Sequence, residues 1–333
     1  MLRTQLCRTL GISHPIFSAG IGAAAGADLA AAVSNAGGLG VLGTAGLPTK
    51  FVRQQIVRLR ELSSRPFGVN VVLPLLRRGG IEACMDENVP VLVLFWGDVK
   101  SIIADAHRQG TKVLVQVGSP AEARDAAEAG ADAIIAQGLE AGGHVRGTTS
   151  LSVLVPALVD AISPVPVVAS GGIADGRTLL SALCLGAQAV SMGTRFLASN
   201  EANADPSYKQ RVVDSTAEQT VHTGLFDGGW ERAPHRVIRN STITEWEAAG
   251  RPSPGKRPNE GRILGTMPSG GTTVDIPAYS AYLPEPGVTA SIESMALYAG
   301  QSCSLVNDIK PAAQIVTDTM REAEVVLQRL GTE

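Results

Sequence analysis

One stretch of the chain concentrates groups able to move a proton: Gln137-Gly138-Leu139-Glu140-Ala141-Gly142-Gly143-His144-Val145-Arg146-Gly147. Its imidazole, His144, is flanked by glycines that leave it unobstructed. An unperturbed imidazole titrates at about 6.5, which suits proton abstraction from a weak carbon acid. A lone histidine is ordinarily structural, but this glycine setting at a strand's end favours catalysis. The other histidines lack such company: His14 precedes the first strand, His107 falls in a helical stretch, and His222 and His235 lie in a later, different segment.

Two further turns, Ser170-Gly171-Gly172 and Met192-Gly193-Thr194, stand about one β-α unit apart. Exposed amides at such turns, with a helix N-terminus, grip phosphate in many barrels. The spacing identifies a phosphate, not the molecule that carries it. Ala19-Gly20-Ile21-Gly22 offers small residues that would let backbone approach a flat ring, or simply a tight turn. Asn70 and Gln116 each interrupt an apolar strand with an amide. An unpartnered buried amide costs roughly 1–3 kcal/mol, so two of them near strand ends suggest a lined pocket.

These residues need a scaffold, and the sequence supplies a repeating one. Short Val- and Ile-rich runs at 15–20, 40–43, 66–73, 90–96, 112–118, 133–138, 166–171 and 189–196 predict eight strands. Helical stretches are expected between them at 26–36, 48–62, 99–109, 120–129, 150–162 and 175–185, with Gly110, Gly130 and Gly186 placed for left-handed C-terminal caps. An open doubly wound sheet could show the same alternation, but eight units in series favour closure into a TIM (β/α)8 barrel, at residues 1–205. Beyond residue 200 strand-like runs disappear and 250–290 is rich in Pro, Gly and Ser, so 206–300 is read as an inserted, smaller cap. A helix about 310–330, within a C-terminal segment 301–333, has apolar spacing suited to packing on the barrel.

Composition excludes several classes. With 333 residues, 44% hydrophobic, the chain can bury one large core. A formal net charge of -3 with scattered basic residues lacks the footprint of a nucleic-acid binder. Cys7, Cys84, Cys184 and Cys303 lie far apart, without metal or redox spacing, which fits a reducing compartment. No metal site is expected. No export signal and no membrane span are expected either, and the location read from this is cytoplasmic.

Taken together, PIFSAGIG, AAAVSNAGGLGVLG, PFGVNVVLP, EAGGHVRG, VVASGGIADGR, GAQAVSMGTRF and EANADPSYKQ resemble the nitronate monooxygenase (2-nitropropane dioxygenase) family, related to FMN-dependent enoyl-acyl-carrier-protein reductases and NADH:quinone reductases. The resemblance implies FMN as cofactor. By matching position, Ala19, Gly20, Ile21, Asn70, Gln116, Gln137, Gly142 and Gly143 would surround the flavin, while Ser170, Gly171, Gly172, Met192, Gly193 and Thr194 would hold its phosphate. His144 would be the catalytic base, and Tyr298 and Gln301, in LYAGQS, would edge the substrate pocket. Val145-Arg146 departs from the family's glycine after the histidine, placing a cation that either attracts an anionic substrate or faces solvent.

The implied reaction is oxidation of alkyl nitronates with O2. Alternatives are an NAD(P)H-dependent reductase of quinones or enoyl thioesters, a non-redox phosphate-binding barrel lyase or isomerase, and a flavin-binding module without turnover. The substring Gly20-Ile21-Gly22-Ala23-Ala24-Ala25-Gly26 is too loose for a dinucleotide fingerprint. Oligomeric state stays open, a homodimer being one option.

Overall fold

The computed structural model describes residues 2–331; Met1, Thr332 and Glu333, which the 1–205 and 301–333 segments include, lie outside the described residues. The eight apolar runs form β1 Ile16–Ser18, β2 Gly40–Gly43, β3 Phe67–Val72, β4 Val91–Phe95, β5 Lys112–Val117, β6 Ala133–Gln137, β8 Val167–Ser170 and β9 Ala189–Met192. A two-residue strand, β7 Gly143–His144, falls between β6 and β8. Four more follow: β10 Thr220–Thr223, β11 His235–Ile238, β12 Ile263–Ser269 and β13 Thr272–Pro277.

The helices are α1 Gln5–Leu10, α2 Ala27–Asn35, α3 Thr49–Leu62, α4 Gly80–Asp86, α5 Lys100–Arg108, α6 Pro120–Glu128, α7 Leu151–Ile162, α8 Gly176–Cys184, α9 Thr194–Leu197, α10 Pro206–Val213, α11 Ser241–Ala248 and α12 Ala312–Leu330. Gly110, Gly130 and Gly186 have φ of 79°, 98° and 98°, the left-handed conformation that ends a helix and that glycine adopts without steric penalty.

All eight barrel strands pair in parallel, in the order β1-β9-β8-β6-β5-β4-β3-β2. The ring closes where Ser18 N–H donates to Leu39 O (3.0 Å) and Leu39 N–H donates to Ile16 O (2.9 Å). The chain is therefore a (β/α)8 barrel. Every residue of β3, β4 and β6 is buried, because the helices cover the outer face and side chains fill the lumen. Phe17, Val41, Val93, Leu114, Ile135 and Val168 form that inner core, and Leu6, Cys7 and Leu10 of α1 plug its lower end.

α12 buries Ile315, Val316, Met320 and Ala323. Its fit against α8 is close: a Cβ on Gly176 would sit 2.2 Å from Ala323 N, and Gly176 N–H donates to the Glu322 carboxylate at 3.1 Å.

Past residue 200 the structure departs from the expectation that strands disappear. β10, β11 and β7 form an antiparallel sheet, and β12 with β13 forms a hairpin. Polar runs such as His235-Arg236-Val237-Ile238 do not alternate, since β11 is buried on both faces. Its strand character comes from tertiary pairing, which single-sequence patterning does not register.

Candidate functional site

A cavity of about 520 Å³ opens at the C-terminal ends of the barrel strands. Its wall includes Ala19, Gly20, Ile21, Asn70, Gln116, Gln137, Gly142, Gly143, His144, Ser170, Gly171, Gly172, Gly193, Thr194 and Tyr298. Two residues expected there are elsewhere. The Met192 side chain is buried in the outer core, because side chains alternate across a strand and its neighbour Ser191 takes the cavity face. Gln301 does not line the cavity; its N–H donates to Glu140 O at 2.9 Å, so it ties two loops together.

The first turn lines the cavity, and the size of Gly20 is also set by a neighbouring side chain. A Cβ on Gly20 would lie 2.3 Å from Cβ of Asn70, so glycine there makes room for the asparagine. Asn70 in turn donates from Nδ2 to Val93 O at 3.1 Å, which satisfies its buried amide.

Gln137 closes β6. Its Nε2 donates to His144 O at 2.8 Å, while its Oε1 is buried with no partner. A buried acceptor left unpaired is destabilising, which marks it for a ligand.

At the ends of the neighbouring strands β8 and β9, Gly171 and Gly172 have φ of 114° and 69°, and Gly193 precedes α9. Among the described residues, the N–H groups of these three glycines donate to no backbone or side-chain acceptor. Thr194 Oγ1 accepts from Gly300 N–H at 2.9 Å, drawing the 297–302 segment over this turn.

His144 depends on the segment beyond the barrel. β11 pairs with β7 so that His235 stands opposite His144 and Arg236 opposite Gly143, and Val145 N–H donates to Pro234 O at 2.9 Å. Arg236, 6% exposed, donates from Nε and Nη2 to Leu139 O at 3.2 and 3.0 Å, bracing the loop.

Around the imidazole stand the rings of Trp230, His235 and Tyr298, with centroids 4.2, 5.4 and 5.5 Å away. His144 Nε2 is buried without a partner. Burial, with a smaller contribution from nearby His235, pushes its pKa down to about 3. The expectation of an imidazole titrating near neutral pH is thus corrected: desolvation disfavours the cation, and His144 stays neutral at ordinary pH. Tyr298 is held protonated by burial, and its hydroxyl donates to Ala281 O at 3.1 Å.

The chain resembles known proteins along nearly all of its length. A family model described as nitronate monooxygenase matches residues 3–81 and 77–322. The chain belongs to the nitronate monooxygenase family. Membership makes it a flavin-dependent oxidoreductase. It is 37% identical over 253 residues to the (3aS,4S,5R,7aS)-5-hydroxy-7a-methyl-1-oxo-octahydro-1H-indene-4-carboxyl-CoA dehydrogenase of Mycobacterium tuberculosis, covering 75% of this chain and 70% of that one. A Staphylococcus aureus protein described as "probable nitronate monooxygenase" is 34% identical, covering 73% and 80%. Among solved structures, FabK from Thermotoga maritima superposes with a TM-score of 0.85 at 34% identity, covering 99% of each chain. The nitroalkane oxidase from Streptomyces ansochromogenes gives 0.77 at 28%, covering 97% and 99%.

In this family member several residues in or beside the cavity escaped the sequence reading. Trp230 and His235 come from the segment after the barrel, and no local pattern carries their contact with His144. Glu285, 6% exposed, lines the same cavity. It accepts from Asn203 Nδ2 at 3.1 Å and from Ser269, and burial pushes its carboxyl up to about 7. Arg146 is exposed, paired with Glu122 and lying over the Trp96 ring at 5.4 Å, so of the two readings it takes neither in full: it faces outward yet is anchored.

No helix among the described residues is long and apolar enough to cross a membrane, and no cluster of metal-ligating side chains occurs among them.

Proposed function

We propose that this protein oxidises alkyl nitronates with O2 using FMN, with His144 as the proton-handling residue. The observation that carries the reading is that one cavity holds both an anion cradle and a neutral imidazole. The cradle is the trio of undonated N–H groups of Gly171, Gly172 and Gly193, which fits the single phosphate of FMN. Gln137 Oε1, buried and unpaired, fits an N–H of the ring system. Asn70, Gln116, Gly142 and Gly143 would border the ring.

A bound flavin supplies the electron transfer between substrate and oxygen. The chain's own residues bind, orient and exclude water. Neutral His144 can accept a hydrogen bond from bound substrate, and because burial disfavours its cation, taking up a proton there requires an anionic group bound beside it. Tyr298, its hydroxyl engaged, contributes a ring face beside the imidazole.

A second reading is an NAD(P)H-dependent reductase of quinones or enoyl thioesters. It is favoured by the size of the cavity, whose wall also includes Leu47, Leu75, Val274, Leu283 and Arg77. We further propose the division into a barrel at 1–205, a cap at 206–300 and a C-terminal segment at 301–333. A cytoplasmic location fits the four free cysteines.

The test is an absorbance spectrum of the purified protein and its extracted cofactor, then anaerobic mixing with propyl nitronate and, separately, NADH. Bleaching of bound FMN by the nitronate alone supports the first reading. Bleaching by NADH transfers support to the second, and a colourless protein that takes up no FMN sinks both.

A further inference from the structure

Arg146, Trp96 and Trp230 form a continuous stack that ends on His144. Glu122 of α6 pairs with Arg146, whose guanidinium lies 5.4 Å from the Trp96 ring centroid. Trp96 meets Trp230 edge-on at 4.8 Å and 67°, and Trp230 lies over His144 at 4.2 Å and 33°. Trp96 holds φ at 69°, a left-handed conformation that a bulky residue keeps only where surroundings impose it. Trp230 sits on a turn with Gly228 and Gly229, where a Cβ on Gly229 would meet nothing. The turn is tied to Tyr279 and Ala281 through Gly228, and the stack orients the indole that it carries.

We propose that Trp230 is the positioning residue of His144: its indole, held by Trp96 and Arg146, orients the imidazole and closes its Nε2 from water. The titratable groups facing the imidazole from other elements are His235 on β11 and Tyr298. His235 is buried, its Nε2 accepting from Phe226 N–H at 3.3 Å and its Nδ1 donating to Ala233 O at 2.9 Å. Neither carries charge near neutral pH, so water access governs the imidazole. The claim rests on the proposed role of His144 only for its catalytic consequence.

The experiment is NMR titration of histidine-labelled holoprotein from pH 8 to 5, with the His144 resonance assigned from a His144→Gln variant. The wild-type resonance stays at its neutral position throughout. In Trp230→Ala the midpoint rises by roughly two pH units or more, bringing its titration into that window, because water reaches the ring. Trp230→Phe restores most of the wild-type behaviour. Arg146→Ala, whose side chain lies outside the cavity, shifts the tryptophan emission and moves His144 in the same direction by less. A folded Trp230→Ala protein whose His144 still fails to titrate overturns the proposal. Should that variant not fold, unchanged emission and unchanged titration in Arg146→Ala overturn it. The readout is taken on resting protein, so failure of nitronate turnover is a separate result.

Discussion

Gln137 and His144 are joined end to end: the amide that terminates β6 donates from Nε2 to the carbonyl of His144 at 2.8 Å. The six-residue loop between them is thereby pinned at both ends, and the imidazole inherits the rigidity of the barrel strand. Gln137→Ala leaves that carbonyl without its donor. The expected loss is about 1–3 kcal/mol, read as a lower midpoint in chemical denaturation, together with weaker flavin retention on dialysis.

Removing the imidazole separates binding from chemistry. His144→Ala should retain bound flavin, because the cradle glycines are untouched. Turnover of propyl nitronate should fall by about 10²–10⁴, the usual contribution of a positioned acid or base. Full activity in a flavin-replete His144→Ala protein would remove His144 from the mechanism.

Acid should destabilise the fold through His144. Its folded pKa is depressed to about 3, below the ordinary value of 6.5, so the unfolded chain binds the extra proton. Stability is unaffected above pH 6.5 and falls as pH drops from there toward 3, by on the order of 5 kcal/mol in all. His14, His222 and His235 are lowered in the same sense, also mainly by burial, and steepen the loss. Melting temperatures at pH 7.5 and 5.5 check the direction. The pH profile of turnover should show no inflection at 6.5 assignable to His144.

Glu285 acts in the opposite direction. Its folded carboxyl is raised to about 7 from 4.5, so stability is fully present below pH 4.5 and declines as pH rises through 7. Glu285→Gln removes the ionisation and keeps a hydrogen-bonding side chain. The variant should gain in melting temperature relative to wild type at pH 8.5, and the difference should shrink at pH 5.

Gly142 tests the contact between the imidazole loop and the segment folded over it. A Cβ there would lie 2.3 Å from Gly300 N and 2.5 Å from Ala299 C, both backbone atoms that cannot swing aside. Gly142→Ala should cost about 1–3 kcal/mol or more and loosen Gly300 from Thr194. Differential scanning calorimetry, with flavin content measured in parallel, gives both readings.

How much of this could be read from the residues follows from where each signal resides. Parallel strands buried on both faces announce themselves as apolar runs, so Phe67–Val72 and Val91–Phe95 were visible without a structure. Glycines at Gly110, Gly130 and Gly186 marked helix ends because φ above zero is a local demand. Likewise Asn70 and Gln116 stood out as amides where a buried strand should be apolar. These are properties of a residue and its chain neighbours.

Met192, Gln301, Trp230, His235 and Glu285 obey a different rule. Whether Met192 or Ser191 faces the cavity depends on the strand's register, a shift of one residue exchanging the two. Trp230 reaches His144 across 86 positions, and His235 does so only because β11 pairs with β7. The pKa of His144 was misjudged from sequence for the same reason, since desolvation is a sum over atoms brought from distant segments. The sequence by itself therefore determined the barrel and the turns that line its mouth, through local burial and backbone conformation. Only the tertiary structure decided the protonation state of the imidazole and the company it keeps, because both are set by contacts between residues far apart in the chain.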